Sequence, residues 1–281
     1  MKKNVRKIVN YKAEGRKIAA LTAYDYPSAK FIDEAGIDII LVGDSAANVV
    51  LGYDTTTKIT INEMLIFTAA VSRGAKSALI VGDMPFLTYN ISIDKAIENA
   101  GKFIQAGADA VKIEGGSEYI IELTKRLTET GIPVMAHLGF TPQYVNTIGG
   151  NRVQGKDFET TLKILEAAKK LENAGAFSIV LEMMPEESAR FISMNLSVPT
   201  IGIGAGADCD GQILVLNDLI GKFDDFSPKF ARKYFDTKKM ITDVANRYIE
   251  DVRSGSFPNN KESFQLSSEE RCKLENYTQT R

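Results

Sequence analysis

Ile37-Asp-Ile-Ile-Leu-Val-Gly-Asp44 and Ala110-Val-Lys-Ile-Glu114 are short runs of branched apolar residues that end on a carboxylate. Ser77-Ala-Leu-Ile-Val-Gly-Asp83 and Phe177-Ser-Ile-Val-Leu-Glu182 have the same form, and Ile132-Pro-Val-Met-Ala-His137 ends on the single histidine. Each run precedes a helical pattern, which is typical of buried parallel strands in a βα repeat. The sequence therefore predicts an α/β fold, a single (β/α)8 TIM barrel, whose C-terminal strand ends meet at one mouth where catalytic groups collect.

The alternation of strand and helix patterns continues through most of the chain, with a period of about 30 residues that suits βαβ units. Strands are predicted at Ile18–Asp25, at the five runs above, at Val198–Gly204 and at Gln212–Leu216. Helices are predicted from near Pro27, from the capping-box spacing at Thr60, over about 93–105, 118–129 and 158–173, and from Pro185. A longer loop is expected over 46–59. No linker interrupts the pattern, so residues 1–264 are predicted to form one catalytic barrel domain and 265–281 a polar C-terminal extension.

Composition narrows the class of protein. A chain of 281 residues, 44% hydrophobic and 25% charged, suits one globular barrel of about 250 residues. The net charge of −2 and the lack of a basic tract predict no nucleic-acid binding. No apolar stretch approaches the roughly 20 residues of a membrane span, and no apolar segment suggests a signal peptide. Cys209 and Cys272 fit no metal-ligand spacing, so a reducing, cytoplasmic location is expected.

Strand periodicity predicts which polar side chains meet. Lys112 and Glu114 are two residues apart, so they point to the same face of their strand. Asp44, Asp83 and Glu114 end successive strands, and Glu182 would approach from across the opening. One such acid alone would be interpreted as a helix cap or an ion pair, but four at matching positions favour a functional cluster. Acids gathered in this way repel one another unless a cation or shared protons compensate.

The available ligands favour Mg²⁺. A zinc site is disfavoured because the chain has one histidine and no cysteine cluster, whereas carboxylates with water and a chelating substrate suit a hard cation. Such a metal could polarise a carbonyl while a carboxylate removes the adjacent proton. Lys112 could balance substrate charge or form an internal salt bridge with Glu114. His137 could bond the substrate or be a satisfied buried histidine.

The glycine-rich segment Gly202-Ile-Gly-Ala-Gly206 does not have the dinucleotide-binding spacing. In a barrel, a loop at this place could bind phosphate, or it could be a tight turn that passes close to a ligand. Cys209 is interpreted as a small loop residue, not a nucleophile.

Several segments, in order, resemble the ketopantoate hydroxymethyltransferase family. They are Thr22-Ala-Tyr-Asp-Tyr26, Leu41-Val-Gly-Asp-Ser45, Asp83-Met-Pro-Phe86, Val111-Lys-Ile-Glu-Gly-Gly116, His137-Leu-Gly-Phe-Thr-Pro-Gln143, Gly202–Gly206, Asp210-Gly-Gln-Ile-Leu214 and Gly255-Ser-Phe-Pro258. The resemblance runs from about residue 3 to about residue 264. Each motif alone is modest, but the ordered set is specific.

The resemblance implies a barrel of the phosphoenolpyruvate/pyruvate superfamily type and a homo-oligomer, commonly a decamer. It implies transfer of a hydroxymethyl group from 5,10-methylenetetrahydrofolate to 3-methyl-2-oxobutanoate, through a Mg-stabilised enolate. The product would be 2-dehydropantoate, in pantothenate (vitamin B5/coenzyme A) biosynthesis. Matched positions imply Glu182 as the catalytic base, Asp44, Asp83 and Glu114 around Mg²⁺, and substrate contacts from Asp44, Ser45, Asp83, Lys112 and His137.

Three positions depart from the family pattern. Phe67 stands where relatives usually carry histidine, Ala46-Ala-Asn48 replaces a stretch richer in glycine, and Glu262 stands where histidine is common. Phe67 is predicted to be helical and away from the mouth, so that it affects packing or assembly. Three alternatives stay open: a lyase that makes or breaks a C–C bond in a 2-oxoacid, a phosphate-binding barrel enzyme, and an inactive scaffold.

Overall fold

Eight parallel strands close into a barrel in chain order, each paired with the next and β8 with β1. The computed structural model describes residues 2–223 and 228–279. The strands are β1 Ile18–Thr22, β2 Ile39–Val42, β3 Leu79–Asp83, β4 Ala110–Glu114, β5 Val134–Gly139, β6 Ser178–Glu182, β7 Thr200–Ile203 and β8 Gly211–Leu214. The predicted (β/α)8 barrel is confirmed.

Helices surround the strands and extend beyond them at both ends of the chain. They are α1 Val5–Ala13, α2 Tyr26–Glu34, α3 Ala46–Val49, α4 Ile61–Gly74, α5 Ile93–Gln105, α6 Glu118–Glu129, α7 Val145–Ile148, α8 Phe158–Asn173, α9 Glu186–Met194, α10 Leu216–Leu219, α11 Thr237–Ser254 and α12 Ser268–Gln279. Short 3₁₀ helices occupy Thr56–Lys58 and Pro142–Tyr144. In the described part of the chain, no helix combines the length and the apolar character that crossing a membrane requires.

Two apolar clusters follow from the two-residue period of the strands. Side chains such as Leu41, Val81 and Val180 point into the barrel, and their neighbours such as Ile80 and Val111 point outward under the helices. Helix α1 adds Ile8 and Tyr11 to the inner cluster, beside the residues at the N-terminal ends of the strands. The N-terminal end of the barrel is thus filled, and the C-terminal mouth is left for ligands.

The predicted boundaries differ from the structure where side chains cap a neighbouring element. Strand β1 ends at Thr22 instead of Asp25, because the Asp25 carboxylate accepts a 2.7 Å hydrogen bond from the Ser28 N–H and caps α2. Strand β8 covers 211–214 instead of 212–216, since the Leu216 N–H donates to Thr22 Oγ1 at the start of α10.

Several helices lie where none was predicted. The expected loop over 46–59 contains α3 and a 3₁₀ helix, and α1 precedes the first strand. The polar C-terminal segment forms α12, whose side chains are exposed through Tyr277. The domain boundary at residue 264 stays a prediction.

Candidate active site

The polar residues predicted at the strand ends line one cavity at the C-terminal mouth, here called the mouth cavity. Its volume is about 770 Å³, within the range of small-molecule sites. Its wall includes all seven residues predicted for the site: Asp44, Ser45, Asp83, Lys112, Glu114, His137 and Glu182. The barrel thereby brings together side chains from β3 to β6 and, since β2 ends at Val42 and not at Asp44 as predicted, two from the turn after β2.

Lys112 is the centre of the buried charge network. Its Nζ lies 2.8 Å from both carboxylate oxygens of Asp83 and 3.2 Å from Glu114 Oε1. Burial alone would lower the pKa of Lys112, but Asp83 and Glu114 raise it above its ordinary value, so the ammonium stays charged. The internal salt bridge predicted with Glu114 exists, and it is shared with Asp83.

His137 lies between two carboxylates. Its Nδ1 is 3.3 Å from Glu114 Oε1 and its Nε2 is 3.2 Å from Glu182 Oε2. Neither pair has the alignment of a hydrogen bond to His137, so these contacts are ionic. Burial would lower the pKa of His137, but Glu114 raises it to about 9, with further help from Glu182. The imidazolium thus stands beside the predicted base at neutral pH.

Asp44 and Asp83 form a close acidic pair at the ends of β2 and β3. The Asp44 backbone N–H donates to Asp83 Oδ2 at 3.1 Å. Burial first, and then the charge of Asp83, raises the pKa of Asp44 well above its ordinary value. The cluster contains four carboxylates (Asp44, Asp83, Glu114 and Glu182) and two cations (Lys112 and His137), so its formal net charge is −2. A divalent cation would neutralise this charge.

The carboxylates of the cluster suit a Mg²⁺ ion that is bound directly by only one or two protein side chains. Within residues 2–223 and 228–279, no three acidic, histidine or cysteine side chains converge as a ready metal cage. Glu114 is engaged by Lys112 and His137, and its Oε2 accepts the Gln143 backbone N–H at 3.0 Å. Mg²⁺ usually takes one or two carboxylates and completes its octahedron with water and substrate. Asp44 fits the direct role because Lys112 does not bond it, whereas Asp83 would have to share an oxygen between the metal and Lys112. Glu114 fits a contact through water.

Gln143 is a site residue that the sequence did not identify. Its Nε2 donates to Asp44 Oδ2 and to the Met84 carbonyl, both at 3.0 Å, while its backbone N–H holds Glu114. Its Oε1 accepts from the Tyr89 hydroxyl at 2.7 Å. The only indication in the sequence was its place at the end of the His137–Gln143 motif, since an uncharged amide does not contribute to a charge pattern.

Tyr24 connects one departure from the family pattern to the site. Its hydroxyl is 2.8 Å from Ser45 Oγ, and its ring meets the Phe67 ring edge-on at a centroid distance of 6.4 Å. Phe67 lies in α4, which confirms its predicted helical state, but it is only one side chain away from Ser45. The altered Ala46–Asn48 stretch forms most of α3, which opens directly after Ser45.

Glycines shape two strand ends at the mouth. Gly139 has φ +87°, and a Cβ there would stand 2.3 Å from the Glu182 carbonyl oxygen, so its lack of a side chain lets β5 approach the base. Gly206 has φ +76°, and a Cβ would stand 2.4 Å from Glu186 Cγ. Gly204 and Gly206, both at positive φ, fit the tight-turn interpretation of Gly202–Gly206, and the phosphate-binding alternative stays a prediction. Cys209 is buried, which raises the pKa of its thiol and keeps it unreactive.

Comparison with known proteins identifies the family. The ketopantoate hydroxymethyltransferase family model matches residues 2–260. A 3-methyl-2-oxobutanoate hydroxymethyltransferase of Kosmotoga olearia is 52% identical over 262 residues, covering 93% of this chain and 97% of its own. The protein of the same name from Clostridium botulinum is 48% identical and covers 98% of this chain and 100% of its own.

The chain belongs to the ketopantoate hydroxymethyltransferase family. It is therefore an enzyme, a transferase of hydroxymethyl groups.

Solved structures place this ketopantoate hydroxymethyltransferase family member in a wider fold group. A phosphonopyruvate hydrolase, solved with oxalate and Mg²⁺, aligns with a TM-score of 0.60 and 14% identity, over 98% of each chain. A 2,3-dimethylmalate lyase of the PEP mutase/isocitrate lyase superfamily aligns with a TM-score of 0.55 and 14% identity, over 100% of this chain and 98% of its own. At these identities the likeness shows the fold alone.

Proposed function

We propose that this enzyme transfers the hydroxymethyl unit of 5,10-methylenetetrahydrofolate to 3-methyl-2-oxobutanoate and forms 2-dehydropantoate. The observation that supports this most directly is the buried group of Asp44, Asp83, Lys112 and Glu114 facing Glu182 in one cavity of a matching family member. An acidic pair next to a fixed cation suits a chelating 2-oxoacid, and a separate carboxylate suits proton removal.

The oxoacid would bind with its polar end toward Asp44, Asp83 and Lys112, with Ser45 beside it. Mg²⁺, held by Asp44 and Asp83 with Glu114 behind water, would supply Lewis-acid polarisation of the keto group. The inner apolar cluster continues to the floor of the mouth cavity as Leu41, Val180 and Ile213. Those side chains would receive the branched, apolar end of the substrate, because desolvating it there is favourable.

Glu182 would act as the base. It ends β6, is partly exposed to the mouth cavity, and its Oε2 is held by the His137 ring. It would take the C3 proton, so that the C–H electron pair forms the C2–C3 double bond and the carbonyl π pair moves to the keto oxygen to give the enolate. The Lys112 ammonium would stabilise the developing negative charge. Water would add to the methylene of the folate iminium, and the C–N bond would break to release tetrahydrofolate and leave formaldehyde. The enolate carbon would then attack the formaldehyde carbon, and the resulting alkoxide would take a proton to become the hydroxymethyl group.

The wider setting is also proposed. The product would enter pantothenate biosynthesis in the cytoplasm, and the chain would act as a homo-oligomer, a decamer by family resemblance. Support for self-association comes from α11, which exposes Ile241, Val244, Tyr248 and Val252 along one face. Exposed apolar patches of this kind mark interaction surfaces.

Replacing Glu182 by Gln tests the reaction. Proton NMR in D₂O follows the C3 proton of 3-methyl-2-oxobutanoate with protein and Mg²⁺, and then the appearance of 2-dehydropantoate when 5,10-methylenetetrahydrofolate is added. The parent should show both signals, and both should stop on chelation. E182Q should slow C3 exchange by about 10³-fold or more while remaining folded, because the amide cannot accept the proton.

The control is Glu187→Gln, an exposed acid in the first turn of α9 that should leave both rates unchanged. Normal exchange in E182Q would refute the role of Glu182. Exchange without transfer in the parent would favour the lyase alternative, whose enolate chemistry needs no folate.

A further inference from the structure

Asp218 is a carboxylate in the mouth cavity that the proposed chemistry does not use. It lies in α10, directly after β8, and its side chain contributes to the cavity wall. The other acids of that wall are engaged: Asp44 by Gln143, Asp83 and Glu114 by Lys112, Glu182 by His137, and Asp54 by Lys58 at 2.7 Å. Among the described residues, Asp218 has neither a hydrogen-bond donor nor a cation beside its carboxylate.

The surroundings make this unpaired state unfavourable for a charged group. Asp218 is half-buried, and burial raises the pKa of its carboxyl to about 6. The adjoining wall is largely apolar, with Val49, Val215 and Phe230. A partly desolvated carboxylate aimed at a cavity gains most from a ligand that brings its own donors.

The cavity has room for a second ligand beside the oxoacid. A small branched oxoacid occupies only a minor part of about 770 Å³. β8 and α10 line this cavity and supply none of the proposed metal ligands. Asn217 Nδ2 donates to the Val49 carbonyl at 3.0 Å and fixes α10 against the end of α3, so Asp218 stands on a fixed part of the cavity wall.

We infer that Asp218 binds the pterin ring of the folate co-substrate through the ring's 2-amino group and N3–H. These two donors lie side by side, as in a guanidinium, and match the two oxygens of a carboxylate. The apolar wall would contact the flat faces of the heterocycle. This inference rests on the proposed function, and it adds the residue and the ligand edge that give folate specificity.

The test combines residue and ligand changes. The parent and Asp218→Ala are assayed for transfer with 5,10-methylenetetrahydrofolate and with its 2-desamino analogue. In the parent, loss of the 2-amino group should raise the KM by about tenfold or more. In D218A the KM for the natural folate should rise by a similar factor. The KM values of D218A for the natural folate and for the 2-desamino analogue should then differ by less than about threefold, since the carboxylate that binds the 2-amino group has been removed.

Asp54→Asn is the matched control, because it removes one charge from the wall of the same cavity without removing an unpaired acceptor. It should keep the parent's preference for the natural folate over the 2-desamino analogue. Exchange of the C3 proton, which needs no folate, reports whether the oxoacid end of the site is intact in D218A.

Two results would overturn the inference. One is that the parent and D218A discriminate equally between the natural folate and its 2-desamino analogue. The other is that D218A loses C3 exchange together with transfer, since the substitution would then have disturbed the whole site. A parent that exchanges the proton but never uses folate would refute the proposed function itself. That result is distinct from folate-dependent transfer that ignores Asp218, which would refute the inference alone.

Discussion

At the scale of single residues, the site alternates charges along a chain of contacts. Negative and positive side chains alternate, at separations of 2.8 to 3.3 Å, in the order Asp83, Lys112, Glu114, His137 and Glu182. Each buried charge has an opposite neighbour, which offsets part of the cost of removing it from water. Asp44 lies at one end of this chain and needs a cation beyond it, while Glu182 at the other end reaches the cavity. The alternation separates the proposed metal ligands from the proposed base.

Gln143 should position two of the acids, Asp44 through its side chain and Glu114 through its backbone N–H. Gln143→Ala removes a donor from Asp44 and the acceptor of the Tyr89 hydroxyl. Loss of such an orienting contact typically costs 10–100-fold in metal affinity or activity, so we expect a drop of about that size in apparent Mg²⁺ affinity, measured by the Mg²⁺ dependence of C3 exchange. Tyr89→Phe is the companion variant, since it removes the bond to Gln143 and leaves Asp44 its donor. Unchanged Mg²⁺ dependence in Q143A would contradict the positioning role.

At the scale of elements, the position of β3 depends on a junction away from the mouth. Asp33, near the end of α2, is buried and accepts the backbone N–H groups of Lys76, Ser77 and Ala78 at 2.6 to 3.0 Å. These donors lead directly into β3, so the carboxylate fixes the start of the strand that ends on Asp83. Burial by itself would raise the pKa of Asp33, but the three donors hold it below its ordinary value.

Asp33→Ala should lower the free energy of unfolding by about 2–4 kcal/mol at pH 7, because three backbone donors, one buried and two partly buried, lose a charged acceptor. Since the folded-state pKa lies below the unfolded one, the stabilisation is present above the ordinary pKa of about 4 and is lost as the pH falls below it. The gap between the parent and D33A should therefore narrow on acidification. Urea unfolding at pH 7 and near pH 3, at one protein concentration, measures it. Asp33→Asn, which keeps one oxygen acceptor, should lie between the two, and a gap that widens in acid would contradict the account.

At the scale of the whole molecule, the barrel leaves one long helix largely uncovered. On α11, Ile241, Val244, Tyr248 and Val252 recur at helical spacing and are each about half exposed. The chain buries little of this face itself, which is the expected arrangement if a second copy covers it.

Val244→Glu should therefore reduce self-association. A charge placed within an apolar contact between copies would have to be desolvated without a partner, which costs several kcal/mol per interface. Light scattering coupled to gel filtration should give a smaller mass for V244E than for the parent. Asn246→Glu places the same charge on a different face of α11 and should leave the mass unchanged. A parent that is already monomeric would refute the proposed homo-oligomer.

The sequence by itself determined the barrel and the acidic composition of its mouth. Both depend on local rules: a strand shows its period within a few residues, and parallel strands in chain order carry their C-terminal ends to one mouth. From these rules Asp44, Asp83, Lys112, Glu114, His137 and Glu182 could be assigned to one cavity. Their individual roles came from the family resemblance, since spacing does not distinguish a base from a metal ligand.

Only the tertiary structure decided which neutral or isolated groups complete the site. Gln143 meets Asp44 across 99 positions of sequence, and Tyr24 joins Phe67 to Ser45. Asp218 lines the mouth cavity with no cation or hydrogen-bond donor paired to its carboxylate among the residues that the structure describes. The ends of β1 and β8 likewise depended on Asp25 capping α2 and on Thr22 accepting the Leu216 N–H. Such contacts join residues whose separation along the chain has no fixed value. Local patterns therefore cannot encode them, and they arise only when the closed barrel brings the strand ends together.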